Sequence, residues 1–153
     1  MYAITLYRPW SWYVSHGPKR VENRTWPPDP AQLKPGDVLA IHAGQGWDKC
    51  FYPDGRTMPS WAPGSWPQHP RSEAIPTGIV ALVVFAGATA GTVASDSLGP
   101  GVSEWWRGPW GWLLGQVCAI DPVPCSGKQG LWVVPEDVEQ KVRAAYARRK
   151  GGV

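Results

Sequence analysis

Residues 77–90 have the sequence TGIVALVVFAGATA, which is apolar almost throughout. Such a run is typical of a strand that is buried on both faces or that curls within a barrel. Shorter β-branched, aromatic or alternating stretches predict further strands at residues 2–7, 20–26, 38–42, 113–120 and 130–134. These strands follow one another too quickly for βαβ units. We therefore predict a β-rich domain with residues 77–90 as its core strand.

Helix signals are found at two places. Pro9 at a first helical position, with His16-Gly17 as the stop, predicts a helix of about two turns. Pro135 precedes a second helix, whose first turn is acidic and whose end is basic, as the helix dipole favours. The 18 Gly and 17 Pro residues imply many turns, and 153 residues fit one compact domain.

Residues 43–76 break the strand pattern with six prolines and three tryptophans. Loops of this length are usually functional or disordered, and the aromatic content argues against simple disorder. A ligand-facing lid and a packed surface excursion are both open at this point. We predict one domain over residues 1–146 with this insertion at 43–76, followed by a basic tail at 147–153.

The net charge of +3 is unevenly distributed, because residues 141–153 carry +5 and residues 1–140 carry −2. The body of the protein is therefore not a general polyanion-binding surface. The basic residues at 141–153 either stabilise the end of a helix through its dipole and continue as a solvated tail, or form an arm that binds nucleic acid.

Several functional classes are excluded by missing patterns. The start lacks a signal peptide and no apolar run is long enough to span a membrane, so we expect a cytoplasmic protein with no membrane partner. No nucleophile elbow, phosphate-binding loop or dinucleotide fingerprint follows a strand. The usual hydrolase, nucleotide-triphosphatase and dehydrogenase motifs are therefore missing.

The histidines and cysteines show no metal-ligand spacing, and no Cys-x-x-Cys pair occurs. We predict neither a metal nor another cofactor.

His42 ends a predicted strand and is followed by Ala43-Gly44. There it is either an acid, base or hydrogen-bond donor at a pocket rim or a structural residue.

The segment at residues 17–26 concentrates candidate binding side chains. Lys19 and Arg24 lie near Glu22, and such a cluster can orient a guanidinium toward a phosphate or a carboxylate. Trp26, with the tryptophans of the preceding helix, can supply stacking faces for a base. An ordinary surface ion pair is the alternative.

Three segments in this order resemble the ASCH domain, a family named for homology to the activating signal cointegrator: AITLYRPW at residues 3–10, GPKRVENRTW at 17–26 and LAIHA at 39–43. Residues 108–113 and 127–132 look like the closing motifs of a bacterial and phage subgroup of this family. The resemblance covers most of residues 1–135.

The resemblance implies a PUA-like α+β fold, a small curled β-barrel with short flanking helices, to which the predicted C-terminal helix adds. It also implies a cleft beside the first helix that binds RNA or a nucleoside. Carried over to this sequence, the implied ligand-binding residues are Arg8, Pro9, Trp10, Lys19, Glu22, Arg24, Trp26 and His42. Arg8 stands where this subgroup commonly has Gln, which adds positive charge at the mouth of the cleft.

Some ASCH proteins are amidohydrolases of acetylated cytidine nucleosides that use a Lys, a Thr and a Glu, and a few are ribonucleases. Lys19 matches that Lys, whereas Glu22 occupies the Thr position. A carboxylate cannot replace a hydroxyl nucleophile, although Glu22 beside Lys19 could activate a water as a general base.

We predict a domain that binds RNA or a nucleotide-like ligand, modified bases included. The alternatives are a small hydrolase that uses Lys19 and Glu22 as catalytic residues in the same pocket, and a protein-interaction module.

Overall fold

The computed structural model describes residues 1–91 and 96–151, which form a six-stranded sheet with three α-helices in the described chain. The elements are β1 (Tyr2–Arg8), α1 (Trp10–Ser15), β2 (Val21–Arg24), β3 (Val38–Trp47), β4 (Gly78–Ala90), α2 (Pro100–Ser103), β5 (Trp110–Val123), β6 (Leu131–Val133) and α3 (Glu136–Gly151). Short 3-10 turns lie at Ser72–Ala74 and Asp96–Leu98. None of the described helices has the length and apolar character of a membrane span.

The sheet has the strand order β2-β5-β4-β3-β1-β6. Only β1 and β3 pair in parallel among these neighbours of the described chain, and the other pairs are antiparallel. The sheet curls into a half-barrel, with the short helices at its flanks. The predicted α+β class, a curled barrel-like sheet with short helices and a C-terminal helix, is confirmed.

The strand β4 lies at the centre of the sheet, and its residues 78–85 are buried on both faces, with only Val84 half-buried. Residues 86–90 of the predicted core strand are instead exposed or half-buried. Val83 and Phe85 belong to a cluster inside the curl that includes Trp112. Leu82 belongs to a second cluster beneath α3, which includes Val142. Because both faces of β4 meet apolar neighbours, its sequence has no polar alternation over this part.

Two strands are longer than the sequence predicts. β3 continues past His42 to Trp47, and β5 extends from Trp110 to Val123. Within this extension the exposed Tyr7 ring packs directly over Gly46, where a Cβ would lie 2.6 Å from the ring. The C-terminal helix also continues through residue 151, so most of the segment predicted as a basic tail is helical.

The insertion that follows β3 packs as a hydrophobic cluster of its own. Phe51 and Trp66 are buried there against Tyr13 of α1 and against Trp105 and Trp106. Phe51 and Trp66 therefore build a further packed region beside the barrel, whereas Tyr52 and Trp61 of the insertion are exposed.

Candidate functional site

A cleft of about 840 Å³ opens where β1, α1, β2 and β3 meet the connection between β5 and β6. This volume lies within the range of about 300–1,000 Å³ that is typical of ligand pockets. We call it the main cleft. Its polar and aromatic lining side chains are Thr5, Tyr7, Trp10, Glu22, Arg24, Trp26, His42, Gln45, Asp48, Thr77, Ser126, Lys128 and Gln129.

The strand β2 presents Glu22 and Arg24 to the main cleft. The two residues are two positions apart, so their side chains leave the strand on one face. Arg24 Nε lies 3.3 Å from Glu22 Oε1, and Arg24 Nη2 donates a hydrogen bond of 3.1 Å to the Thr5 carbonyl. Trp26 continues this face along the cleft, with its ring edge-on to Trp112 at 4.9 Å between centroids. The alternation seen in the sequence therefore brings this group together.

Lys19 lies behind Glu22 and is almost fully buried, with 2% of its surface exposed. Its Nζ donates to Glu22 Oε2 at 2.8 Å and to the Val21 carbonyl. Burial lowers the pKa of Lys19, while the attraction of the Glu22 carboxylate and its hydrogen bond oppose this shift. Glu22 therefore pairs with Lys19 on one side and with Arg24 on the other. Lys19 itself does not line the main cleft.

Trp10 forms one wall of the main cleft and is fixed by a residue that the sequence did not single out. Its Nε1 donates a hydrogen bond of 2.7 Å to Asp48 Oδ2. Burial raises the pKa of Asp48, but hydrogen bonds from the Cys50 backbone N–H and the Trp10 indole outweigh it, so this pKa lies below its ordinary value. Asp48 is therefore an ionised acceptor that holds the indole in place.

His42 lies in the wall opposite β2 and is 3% exposed. Its Nε2 is 3.0 Å from the Cys125 carbonyl, so Nε2 carries the proton and Nδ1 is left as an acceptor. Burial lowers the pKa of His42, against a smaller opposing effect of that hydrogen bond. His42 is therefore neutral near neutral pH. Its Nδ1 has no hydrogen-bond partner in the described chain and lies beneath Gly127.

Arg8 and Pro9 lie outside the set of residues that line the main cleft. The Arg8 guanidinium donates to the carbonyls of Ser72, Ile75 and Gln45 at 3.3, 3.0 and 2.7 Å. It thereby ties the end of the insertion to β1. Pro9 is buried and accepts the first hydrogen bond of α1 through its carbonyl. Both residues position the walls instead of facing the cleft.

The segment at residues 125–130 closes the main cleft across from β2. The sequence marked part of it as a closing motif but gave no reason to place Ser126, Lys128 or Gln129 in a cleft wall. Thr25, the hydroxyl residue that follows Arg24 in the segment GPKRVENRTW, is exposed and does not line the main cleft. No group of three or more His, Cys, Asp or Glu side chains is placed to hold a metal among residues 1–91 and 96–151.

No protein-family model matches the chain, and no curated protein matches it. Among solved structures it is similar to the ASCH protein ZmASCH of Zymomonas mobilis, at 16% identity over 94% of this chain and 93% of that one, with a TM-score of 0.52. A tyrosine-to-phenylalanine variant of ZmASCH covers 94% and 96% of the two chains at 14% identity and a TM-score of 0.56. A serine-to-alanine variant covers 94% of each at 14% identity and a TM-score of 0.55. The chain therefore has an ASCH-like fold.

Proposed function

We propose that this ASCH-like chain binds RNA or a nucleotide-like ligand in the main cleft, with modified bases among the ligands. One observation carries the proposal: the Glu22–Arg24 pair and the indole rings of Trp10 and Trp26 line one cleft of about 840 Å³. Aromatic rings stack on bases that have left a helix, and side-chain donors and acceptors bind the base edges. The chain offers both kinds of group side by side.

The charges of the lining favour recognition of a base over recognition of many phosphates. Two basic side chains, Arg24 and Lys128, line the main cleft together with two acidic ones, Glu22 and Asp48. Surfaces that follow a polyanion carry a strong excess of Lys and Arg. A balanced cleft instead suits a small number of directed contacts to one nucleotide unit.

Arg24 is the residue that we expect to contact the ligand most directly. Its side chain is held by Glu22 and by the Thr5 carbonyl, yet it is 19% exposed and lines the main cleft. A planar guanidinium fixed in this way can offer its remaining donors to a phosphate or a base carbonyl.

Replacing Arg24 by Lys should therefore weaken binding about tenfold or more, because the charge is kept while the fork of donors is lost. Titration calorimetry with nucleoside monophosphates and short single-stranded RNAs measures this. Arg56→Lys is the matched control, since Arg56 is exposed and lines none of the clefts described. Unchanged affinity of a folded Arg24→Lys variant would show that the ligand binds elsewhere.

A hydrolase is the second candidate, because Glu22 reaches the main cleft with Lys19 directly behind it. We expect no turnover of acetylated cytidine or of short single-stranded RNA. Thr25 of the GPKRVENRTW segment lies outside the cleft. The hydroxyl residues Thr5, Thr77 and Ser126 line it, but Lys19 Nζ, the amine that would activate one of them, is engaged by Glu22 and a backbone carbonyl. Chromatography of the reaction products tests this expectation. Hydrolysis that disappears in folded Glu22→Gln protein would establish the enzyme instead.

A further inference from the structure

A second, smaller cleft of about 370 Å³ adjoins the main cleft. We call it the aromatic cleft, because four indole rings line it, those of Trp10, Trp61, Trp66 and Trp105. The polar side chains of its lining are Lys19, Glu22, Asn23 and Arg107. Its volume also lies within the range of about 300–1,000 Å³ found for ligand pockets.

The two clefts share a wall. The Trp10 ring and the Glu22 carboxylate line both of them. The shared ring is fixed by its hydrogen bond to Asp48 and by edge-on contacts with Phe51 at 4.8 Å and Trp66 at 6.0 Å between centroids. A ligand that enters the main cleft therefore lies next to a second, rigid binding space.

The inner walls of the aromatic cleft are held by specific contacts. Trp66 and Trp105 stack at 3.8 Å with 6° between their planes, and both rings are buried. Asn23 of β2 donates to the Trp105 carbonyl at 2.9 Å and accepts from the Arg107 backbone N–H at 2.7 Å. The indole N–H groups of Trp66 and Trp105 are buried without a hydrogen-bond partner in the described chain. The walls are thus preorganised and contain unsatisfied donors.

The rim of the aromatic cleft carries an open stacking face and a cation. Trp61 is 47% exposed and lines this cleft but not the main one. The Arg107 guanidinium lies 5.6 Å from the centroid of Trp66. Proteins that bind single strands combine successive aromatic rings, one for each base, with cations near the backbone.

We propose, on the basis of the proposed function, that the aromatic cleft holds a second base. The preferred ligand is then a single-stranded oligonucleotide of at least two nucleotides, with one base in each cleft and Trp10 between them. Trp61 stacks on the second base, and Arg107 lies close to the phosphate that links the two nucleotides.

Calorimetry with the four ribonucleoside 5′-monophosphates and the four matching homodinucleotides tests this proposal. We expect at least one dinucleotide to bind about tenfold or more tightly than its monophosphate. Trp61→Ala should remove most of that gain and leave the affinity for the monophosphate unchanged, because stacking on one aromatic ring is worth roughly a 5- to 150-fold change.

Two further variants serve as controls. Tyr52→Ala removes an exposed ring from the same insertion that lines neither cleft, so it should change neither affinity. Trp61→Phe keeps a ring and should keep most of the dinucleotide gain, even if the alanine variant folds poorly. If each dinucleotide binds no more tightly than its monophosphate, or if Trp61→Ala weakens both ligands equally, the proposal of a second base is wrong. The proposed function of the main cleft then still stands. Binding of none of the eight ligands overturns the proposed function as well.

Discussion

Replacing Glu22 by Gln should destabilise the protein by about 3 kcal/mol near neutral pH. Glu22 is the carboxylate that compensates Lys19, whose side chain is 2% exposed, and it also pairs with Arg24. Removing one partner of a buried pair leaves a charge without compensation, and this costs more than the pair itself contributes. Urea unfolding followed by tryptophan fluorescence measures the difference.

The loss of stability in the Gln variant should depend on pH. Glu22 raises the pKa of Lys19 against the effect of burial, so the variant has a still lower Lys19 pKa. Between that pKa and the ordinary value of 10.5, the unfolded chain binds more protons than the folded chain. Stability then rises with pH. The Lys19 pKa of the wild type also lies below 10.5, so the deficit relative to the wild type should shrink as the pH rises from the Lys19 pKa of the variant to that of the wild type.

Two controls separate a buried charge from a general loss of packing. Adding Lys19→Met to Glu22→Gln removes the uncompensated cation and should restore part of the stability. Glu73→Gln, which breaks an exposed pair with Arg71 at 3.0 Å, should have no measurable effect. A double variant that is no more stable than Glu22→Gln alone would contradict the role given to Lys19.

Replacing Gly127 by Ala should weaken binding in the main cleft about tenfold or more. A Cβ at this position would lie 2.5 Å from His42 Cε1 and Nδ1 and 2.7 Å from Thr5 Oγ1. The His42 ring cannot give way easily, because Nε2 is held by the Cys125 carbonyl and the ring packs edge-on to Trp132. The segment at residues 125–130 must move instead, and it forms a wall of the main cleft.

The matched control for Gly127→Ala is Gly64→Ala, since a Cβ at Gly64 would meet nothing within 4 Å. Calorimetry with the tightest-binding nucleotide and thermal unfolding should be recorded for both variants. We expect the Gly64 variant to behave as the wild type. Wild-type affinity in a folded Gly127→Ala protein would show that this segment does not shape the binding site.

The parts of the site that could be predicted from the sequence depend on local periodicity. Alternation along β2 placed Glu22 and Arg24 on one face, and their contact at 3.3 Å follows from it. The apolar run of β4 indicated burial on both faces, which holds for residues 78–85 but not for residues 86–90 at the end of the strand. Such patterns are visible because each depends only on neighbouring residues of one strand.

The parts that could not be predicted depend on contacts between distant segments. The hydrogen bond from Trp10 to Asp48 joins residues 38 positions apart, and the Trp66–Trp105 stack joins a loop to a turn beyond β4. None of these segments has a hydrophobic periodicity from which the distant residue that it contacts could be predicted. The extension of β3 to Trp47 could not be predicted because glycines normally weaken strands, whereas Gly46 lies here within the strand, directly under the Tyr7 ring.

The separate packing of the insertion has a consequence for how proteins with this barrel diverge. Neither of the two barrel clusters includes a residue between positions 48 and 77 among the residues that the structure describes. Mutations in this segment therefore leave these two clusters intact and act on the third cluster, which also contains Tyr13 of α1 and Val21 of β2. Selection can change the length and the side chains of the insertion, and with them the shape and polarity of the aromatic cleft, while the two barrel clusters keep their residues. Among descendants of a common ancestor, ligand preference should therefore drift faster than architecture.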